Sequence, residues 1–112
     1  MRVDFKLLLT ENDKIVLSKG KYLLLKYVLE EGSLNSAAKK MKISYKKAFS
    51  YIKSIEEGLD DVVLLRTPGK AAILSDKGIE IIKLYDYFYN ELNIFLKLKM
   101  DEYEKNRWVF YS

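Results

Sequence analysis

The stretch SLNSAAKKMKISYKKAFSYIKSI, residues 33–55, contains two runs of apolar residues at helical spacing, and each run follows a serine. Ser33 can cap a first helix with small apolar positions at Leu34, Ala37, Ala38 and Met41. Ser44 can cap a second helix with an apolar stripe at Ala48, Ile52, Ile55 and Leu59. Because only Lys42 and Ile43 separate the two runs, the pattern predicts a helix-turn-helix.

The sequence before this motif predicts a β-hairpin and one helix. Alternating apolar residues from Val3 to Leu9, turn residues at 11–14 and an apolar run at 15–17 are typical of a hairpin. Gly20 breaks the pattern, and apolar residues then return at helical spacing until Gly32, which stands where a C-terminal cap is expected.

The sequence after the motif predicts a second hairpin and a long helix. Apolar runs at 62–65 and 71–74 flank the turn residues 67–70. From Ser75 onward the apolar residues keep a 3.6-residue period for about six turns and surround the helix too widely for a single contact face. We assign residues 1–98 to one domain, with the long helix at about 75–98, and leave residues 99–112 as an unassigned C-terminal extension.

Composition narrows the range of functions. The chain has 112 residues, no cysteine and no histidine, which excludes disulfides, thiolate or imidazole metal sites and the usual nucleophile–base pairs. The adjacent acids read as helix ends and turns, so we expect neither an enzyme nor a metal or cofactor site. The charged N-terminus resembles neither a secretion signal nor a membrane span, and we expect a cytoplasmic location.

Positive charge is concentrated in one part of the chain. The net charge is +4, but no acidic residue occurs from Gly32 to Ile55. That segment contains Lys39, Lys40, Lys42, Lys46, Lys47 and Lys53.

The second helix of the motif has a polar side opposite its apolar stripe. On a helical wheel this side carries Lys46, Lys47, Ser50 and Lys53. Phe49 falls at its flank, Tyr51 at the edge of the core side, and Tyr45 on the core side. A solvated helix face is the ordinary interpretation of such a pattern.

The charges at both ends of this helix oppose its dipole. Lys46 and Lys47 occupy the first turn, where acids are favoured, and Glu56 and Glu57 lie near the end that favours cations. Each such placement costs about 0.3 to 1 kcal/mol when exposed. A phosphate backbone would compensate for the lysines, so the pattern favours nucleic-acid binding.

Base reading and backbone contacts can be assigned to separate residues. Lys47 and Ser50 could reach base edges from the start of the helix. In the turn that follows, Lys70 and the amides of Thr67 and Gly69 could contact the DNA backbone. An ordinary hairpin that closes the core is the alternative for this turn.

Aromatic residues of the long helix repeat at helical spacing, which is more typical of a core or a subunit interface than of a base-stacking platform. The predicted dimer interface comprises Ile82, Tyr85, Phe88, Tyr89, Leu92, Phe95 and Leu96.

Two segments, EEGSLNSAAKKMKISYKKAF at 30–49 and LLRTPGKAAILSDKGIEIIKLYD at 64–86, resemble the N-terminal DNA-binding domain of the ModE family of molybdate-responsive regulators, related to the LysR-type winged helix-turn-helix. The similarity extends from about Val3 to Leu96. Phe49 stands where a tryptophan is usual in the family, and Ser75 where a threonine is usual.

The resemblance implies a prokaryotic transcription regulator that binds double-stranded DNA as a homodimer. The implied fold class is α+β, mainly helical: a winged helix-turn-helix with an N-terminal hairpin and a long dimerisation helix. The oxyanion-binding domains of the family have no room after Ser112, so we expect no molybdate site. The candidate DNA-binding residues are Ser33, Asn35, Ser36, Lys42, Ser44, Tyr45, Lys46, Lys47, Ser50, Lys53, Thr67, Gly69 and Lys70.

A second hypothesis remains open at this point. The same scaffold could serve as a protein-interaction module that does not bind DNA and holds a partner with its aromatic C-terminal helix and the tail around Trp108. Retention of a protein partner, with no binding to any duplex at low salt, would favour this second hypothesis.

Overall fold

The computed structural model describes residues 1–66 and 72–106. Its elements follow in the order β1 (Leu9–Glu11), β2 (Lys14–Leu17), α1 (Lys19–Glu31), α2 (Leu34–Met41), α3 (Tyr45–Leu59), β3 (Leu64–Leu65), β4 (Ile73–Leu74) and α4 (Asp76–Lys105). The predicted fold class is confirmed: two hairpins, a helix-turn-helix and a long C-terminal helix occur in the expected order.

The first hairpin is shorter than predicted. Strands β1 and β2 are antiparallel, and the turn residues Asn12 and Asp13 have φ of 50° and 65°, as a two-residue type I′ turn requires. The strand expected from Val3 begins only at Leu9. Four residues of β2 precede the N-cap Ser18 of α1, so positions before Leu9 have no strand to pair with.

Helix α1 begins earlier than the sequence predicted. Ser18 is the N-cap residue and Gly20 lies inside the first turn, so this glycine does not break the chain. At the other end the prediction for Gly32 is confirmed. Its φ is 68°, and its N–H donates to the Val28 carbonyl over 2.8 Å.

Serine caps define the starts of the next two helices, as predicted. The Ser33 Oγ accepts the Ser36 N–H at 3.1 Å, and the Ser44 Oγ accepts the Lys47 N–H at 3.0 Å. Lys42, with φ of 58°, ends α2 in a left-handed conformation and turns the chain into α3.

The core is apolar, and no charged or polar residue is buried within 1–66 and 72–106. Each of the four helices contributes to it. Its buried members are Val16, Leu17, Leu24, Leu25, Val28, Leu34, Ala37, Ala38, Ala48, Ile52, Ile55, Val63, Leu64, Ala72, Leu74, Ile81, Ile82 and Tyr85.

Helix α4 begins against this core and then extends away from it. Ser75 caps it by accepting the Gly78 N–H at 3.1 Å. Tyr85 is its last buried residue, although the helix continues to Lys105 and so includes the start of the segment left unassigned above. With 30 residues, α4 is about 45 Å long.

Gly78 lies in the first turn of α4, where the helix passes close to the backbone of Val63, directly before β3. A Cβ added at this position would lie 2.8 Å from the Val63 carbonyl oxygen, which is a backbone atom and cannot rotate away. We expect Gly78→Ala to lower the free energy of unfolding by about 1 to 3 kcal/mol, measured by urea denaturation.

Gly20→Ala is the matched control, because nothing lies within 4 Å of a Cβ added there. Since alanine is the better helix former, this variant should raise the free energy of unfolding by up to about 1 kcal/mol. Equal effects of the two substitutions would contradict the close approach at Gly78.

Candidate nucleic-acid interface

Helix α3 has the two sides that its sequence predicts. Ala48, Ile52 and Ile55 are buried. Lys46, Lys47, Ser50 and Lys53 are exposed. None of the lysines of α3 forms an ion pair with another residue in the described part of the chain, although the Lys47 ammonium lies 6.0 Å from the Tyr51 ring centroid. This side of α3 is therefore an accessible basic surface.

The first turn of α3 adds backbone donors to that surface. It contains no acidic residue, and its first N–H groups point out of the helix end. One of these groups, the Lys47 N–H, donates to the Ser44 hydroxyl oxygen. The positive end of the helix dipole therefore lies beside the positively charged side chains of Lys46 and Lys47. The outward N–H groups, the helix dipole and the two lysines together favour the binding of an anion at this end of α3.

The other candidates lie on α2 and in the turn between the helices. Ser33 is half-buried and its hydroxyl oxygen caps α2, so capping is its observed role. Asn35 and Lys42 are exposed, and Ser36 is half-buried. Thr67, Gly69 and Lys70 lie outside the described residues.

The predicted core-side position of Tyr45 is wrong, whereas its assignment as a DNA-binding candidate is a separate prediction. The wheel assigned it to the core side, but its side chain is 43% exposed. As the first residue of α3 it lies past the edge of the core, where wheel position no longer decides burial.

Tyr45 belongs to a three-residue cluster that the sequence did not reveal. Its ring is stacked on Phe49 with centroids 6.5 Å apart. The Arg66 guanidinium lies 5.5 Å from the Tyr45 centroid and 5.6 Å from the Phe49 centroid, and it donates a hydrogen bond to the Tyr45 hydroxyl. The sequence signal for Arg66 was its position directly before the predicted turn. Its contact with Tyr45 joins residues 21 positions apart, so a local pattern does not reveal it.

Glu56 has a structural role that accounts for its place near the end of α3. One carboxylate oxygen accepts the N–H of Val63 at 2.9 Å and the N–H of Leu64 at 3.3 Å. This carboxylate ties α3 to the start of β3. The unfavourable negative charge at this helix end is thus compensated by contacts inside the protein. The unfavourable positive charges of Lys46 and Lys47 at the other end are not.

The predicted dimer interface divides between two faces of α4. Ile82 and Tyr85 are 3% and 2% exposed and belong to the core of the single chain, so their assignment to a subunit interface is corrected. Tyr89 is half-buried against Phe5, at 5.3 Å between centroids. Leu92 and Leu96 are half-buried as well, whereas Phe88 and Phe95 are exposed.

A second apolar face of α4 is exposed. At 100° per residue its members lie within an arc of about 120°, whose centre is about 120° around the helix from Tyr85. We call this the α4 stripe; it consists of Leu84, Tyr87, Phe88, Ile94, Phe95 and Leu98.

A polar and aromatic contact fixes the base of α4 to α1. The Tyr22 hydroxyl donates to the Asp86 carboxylate, and the Lys26 ammonium lies 3.7 Å from the same group. The Tyr22 ring is stacked on Tyr85 with centroids 4.2 Å apart. Burial, and then the hydrogen bond to Asp86, raise the pKa of Tyr22 well above its usual value.

Each helix in the described part of the chain is too short or too polar to span a membrane.

Comparison with known proteins gives matches in structure but not in sequence. No protein-family profile and no curated protein matches the sequence significantly. Among solved structures, ArgP from Mycobacterium tuberculosis matches with a TM-score of 0.55 and 24% identity over 70% of this chain. The chain spans 30% of the ArgP chain.

Two DNA complexes match over almost the whole length of the neighbour. The BenM DNA-binding domain on catB site 1 DNA has a TM-score of 0.60 and 18% identity, covering 76% of this chain and 94% of that one. The CbnR DNA-binding domain on DNA has a TM-score of 0.55 and 18% identity, covering 83% and 98%. What the chain shares with them is the fold, a winged helix-turn-helix with a long final helix.

The Glu56 contact leads to a stability prediction. Glu56→Ala leaves the amides of Val63 and Leu64 without their acceptor, and we expect the free energy of unfolding to fall by about 1 to 3 kcal/mol in urea denaturation. Glu57→Ala, one position along the same helix and exposed, should change it by less than about 0.5 kcal/mol. Equal losses in the two variants would show that the carboxylate does not hold β3.

Proposed function

We propose that this chain is a DNA-binding protein, a prokaryotic transcription regulator that acts in the cytoplasm as a homodimer on double-stranded DNA. The observation that carries the proposal is the basic surface of α3, on which Lys46, Lys47 and Lys53 are exposed and have no acidic partner in the described chain. DNA phosphates would neutralise these lysines and release counterions.

The position of the lysines on α3 strengthens the proposal. In helix-turn-helix proteins the N-terminal residues of the second helix approach base edges in the major groove, and here those residues are basic. Lys47 can donate to guanine acceptors, and Ser50 can bond to several bases. The neighbours CbnR and BenM, which share the fold, were solved as DNA complexes, and this favours the same partner.

Arg66 extends the proposed interface toward the hairpin. It is exposed at the end of β3, and the cluster with Tyr45 and Phe49 keeps it beside the start of α3. It can therefore contact a phosphate next to the groove that α3 enters. Contacts from Thr67, Gly69 and Lys70 stay part of the proposal.

The homodimer rests on the α4 stripe. Six large apolar side chains on one exposed face would be unfavourable in water, and a second copy of the same helix can cover them. Because a symmetric dimer carries two α3 helices, its binding site should be an inverted repeat with half-sites a whole number of helical turns apart. The finer assignment to the ModE family remains part of this proposal.

The DNA prediction is tested by charge reversal on α3. We expect the Lys46→Glu, Lys47→Glu double variant to lose measurable affinity for a duplex in fluorescence anisotropy at low salt. If Lys46, Lys47 and Lys53 of both protomers each neutralise one phosphate, wild-type affinity should fall about 10³-fold between 50 and 200 mM salt.

The control for that experiment is Lys97→Glu, which makes the same type of charge change at an exposed position of α4. It should leave DNA affinity within about threefold, since it lies outside the proposed interface. Tight binding by the α3 double variant would contradict the assignment of α3. Absence of wild-type binding to any duplex, with a protein partner retained instead, would favour the interaction-module hypothesis.

The dimer prediction uses the α4 stripe. Phe95→Glu would bury a charge at the proposed interface of each subunit, so we expect the dimer dissociation constant to rise at least about 100-fold in sedimentation equilibrium. Lys97→Glu, about 200° around the helix from Phe95, should keep the wild-type constant. A monomeric wild-type protein at all concentrations tested would refute the homodimer.

A further inference from the structure

An exposed aromatic pair lies beside the basic surface of α3, on the flank of the helix. Tyr45 and Phe49 are one helical turn apart, and their side chains are 43% and 42% exposed. Leaving such a side chain partly in water forgoes part of the stabilisation that its burial provides. Their exposed surface suits an apolar group.

Arg66 holds the two rings in a defined orientation. Its guanidinium lies over both rings, and its hydrogen bond to the Tyr45 hydroxyl joins the start of α3 to the end of β3. The rings are stacked with an interplanar angle of 20°. Since their rotamers are already restricted in the free protein, little conformational entropy is lost when another group contacts them.

The pair alternates in sequence with the residues proposed to meet DNA. Tyr45 directly precedes Lys46 and Lys47, and Phe49 directly precedes Ser50, all on the first two turns of α3. A helix that lies in the major groove with these polar residues brings its flanks against base edges as well. The one apolar group that a base pair presents in that groove is the thymine 5-methyl group.

We propose that Tyr45 and Phe49, held by Arg66, select thymine by contacting its 5-methyl group in the half-site that α3 enters. This inference rests on the proposed DNA binding and deepens it. Lysine contacts to phosphates supply affinity without sequence information, whereas this apolar contact discriminates between base pairs. A brace between α3 and the hairpin is the alternative role of the cluster, and it involves no thymine methyl group.

Deoxyuridine tests the proposal because it lacks only that methyl group. A binding site is first selected from a random duplex library with the wild-type chain, and each thymine of a half-site is then replaced by deoxyuridine. We expect at least one replacement to weaken binding about fourfold per methyl group, corresponding to about 0.8 kcal/mol. Binding that is unchanged at every replaced position would overturn the proposal.

Variants of the pair complete the test. Phe49→Ala or Tyr45→Ala should remove discrimination between thymine and deoxyuridine at the sensitive position, while Phe49→Leu, which keeps an apolar side chain, should retain it. Discrimination that survives in both alanine variants would refute the assignment to these residues.

The wild-type experiment separates this inference from the proposed function. Salt-dependent binding that ignores the methyl group would overturn the thymine contact alone, whereas the absence of any duplex binding would overturn both. Because the wild-type comparison changes only the DNA, it does not depend on the folding of any variant.

Discussion

The backbone from Val62 to Leu64 forms a junction, because groups from both α3 and α4 hydrogen-bond to it. The position of β3 relative to α3 in the proposed interface depends on this junction. From α3, the Glu56 carboxylate accepts two of its amides. From the start of α4, the Ser75 hydroxyl donates to the Val62 carbonyl at 2.6 Å, and the Ser75 N–H donates to the Val63 carbonyl at 2.9 Å. One short segment therefore fixes β3 relative to both helices.

This junction explains how distant residues form one surface. Because Glu56 fixes where β3 begins, Arg66 two residues past Leu64 reaches back to the first turn of α3. The same junction requires Gly78, since α4 starts too close to the Val63 carbonyl for a side chain. A carboxylate at a helix end that disfavours acids is thus accounted for by a tertiary contact.

The sequence predicted the features that arise from local contacts. Caps at Ser33, Ser44 and Gly32 depend on bonds within a few residues, so residue type and spacing were enough to place them. The late start of β1 was missed because a strand depends on its partner. The exposure of Tyr45 was missed because a helical wheel gives direction and not distance from the core.

The same limit applies to α4 and to the cluster around Arg66. Periodicity showed apolar residues over most of the α4 surface, but it could not divide them between the chain's own core and a partner. Tyr85 is on the core side because Tyr22, from α1, covers its ring. The contact between Arg66 and Tyr45 joins separate elements, and no local pattern in one sequence encodes it.

In the proposed dimer, the contact between α1 and α4 has a geometric consequence. Tyr22 and Lys26 hold Asp86 at the point where α4 leaves the core. If two such helices pair through the α4 stripe, the direction of α4 at Asp86 sets the distance between the two α3 helices. Half-site spacing would then be determined by a contact far from any base.

The distribution of ion pairs shows why a net charge of only +4 can produce a strongly basic surface. Acidic residues of α1 and α4 form ion pairs with lysines outside α3: Glu30 and Glu31 pair with Lys40, and Glu102 pairs with Lys99. The hydrogen bond to Glu31 raises the pKa of Lys40. The lysines of α3 have no such partner in the described chain, so their field is not cancelled locally.

That arrangement separates affinity from discrimination in the proposed complex. Charges on α3 attract any phosphate backbone equally and lose their effect as salt rises. Preference for one sequence must come from groups whose contacts differ between base pairs. On the described part of α3, the side chains of that kind are Lys47 and Ser50 among the polar residues and the ring pair of Tyr45 and Phe49 among the apolar ones.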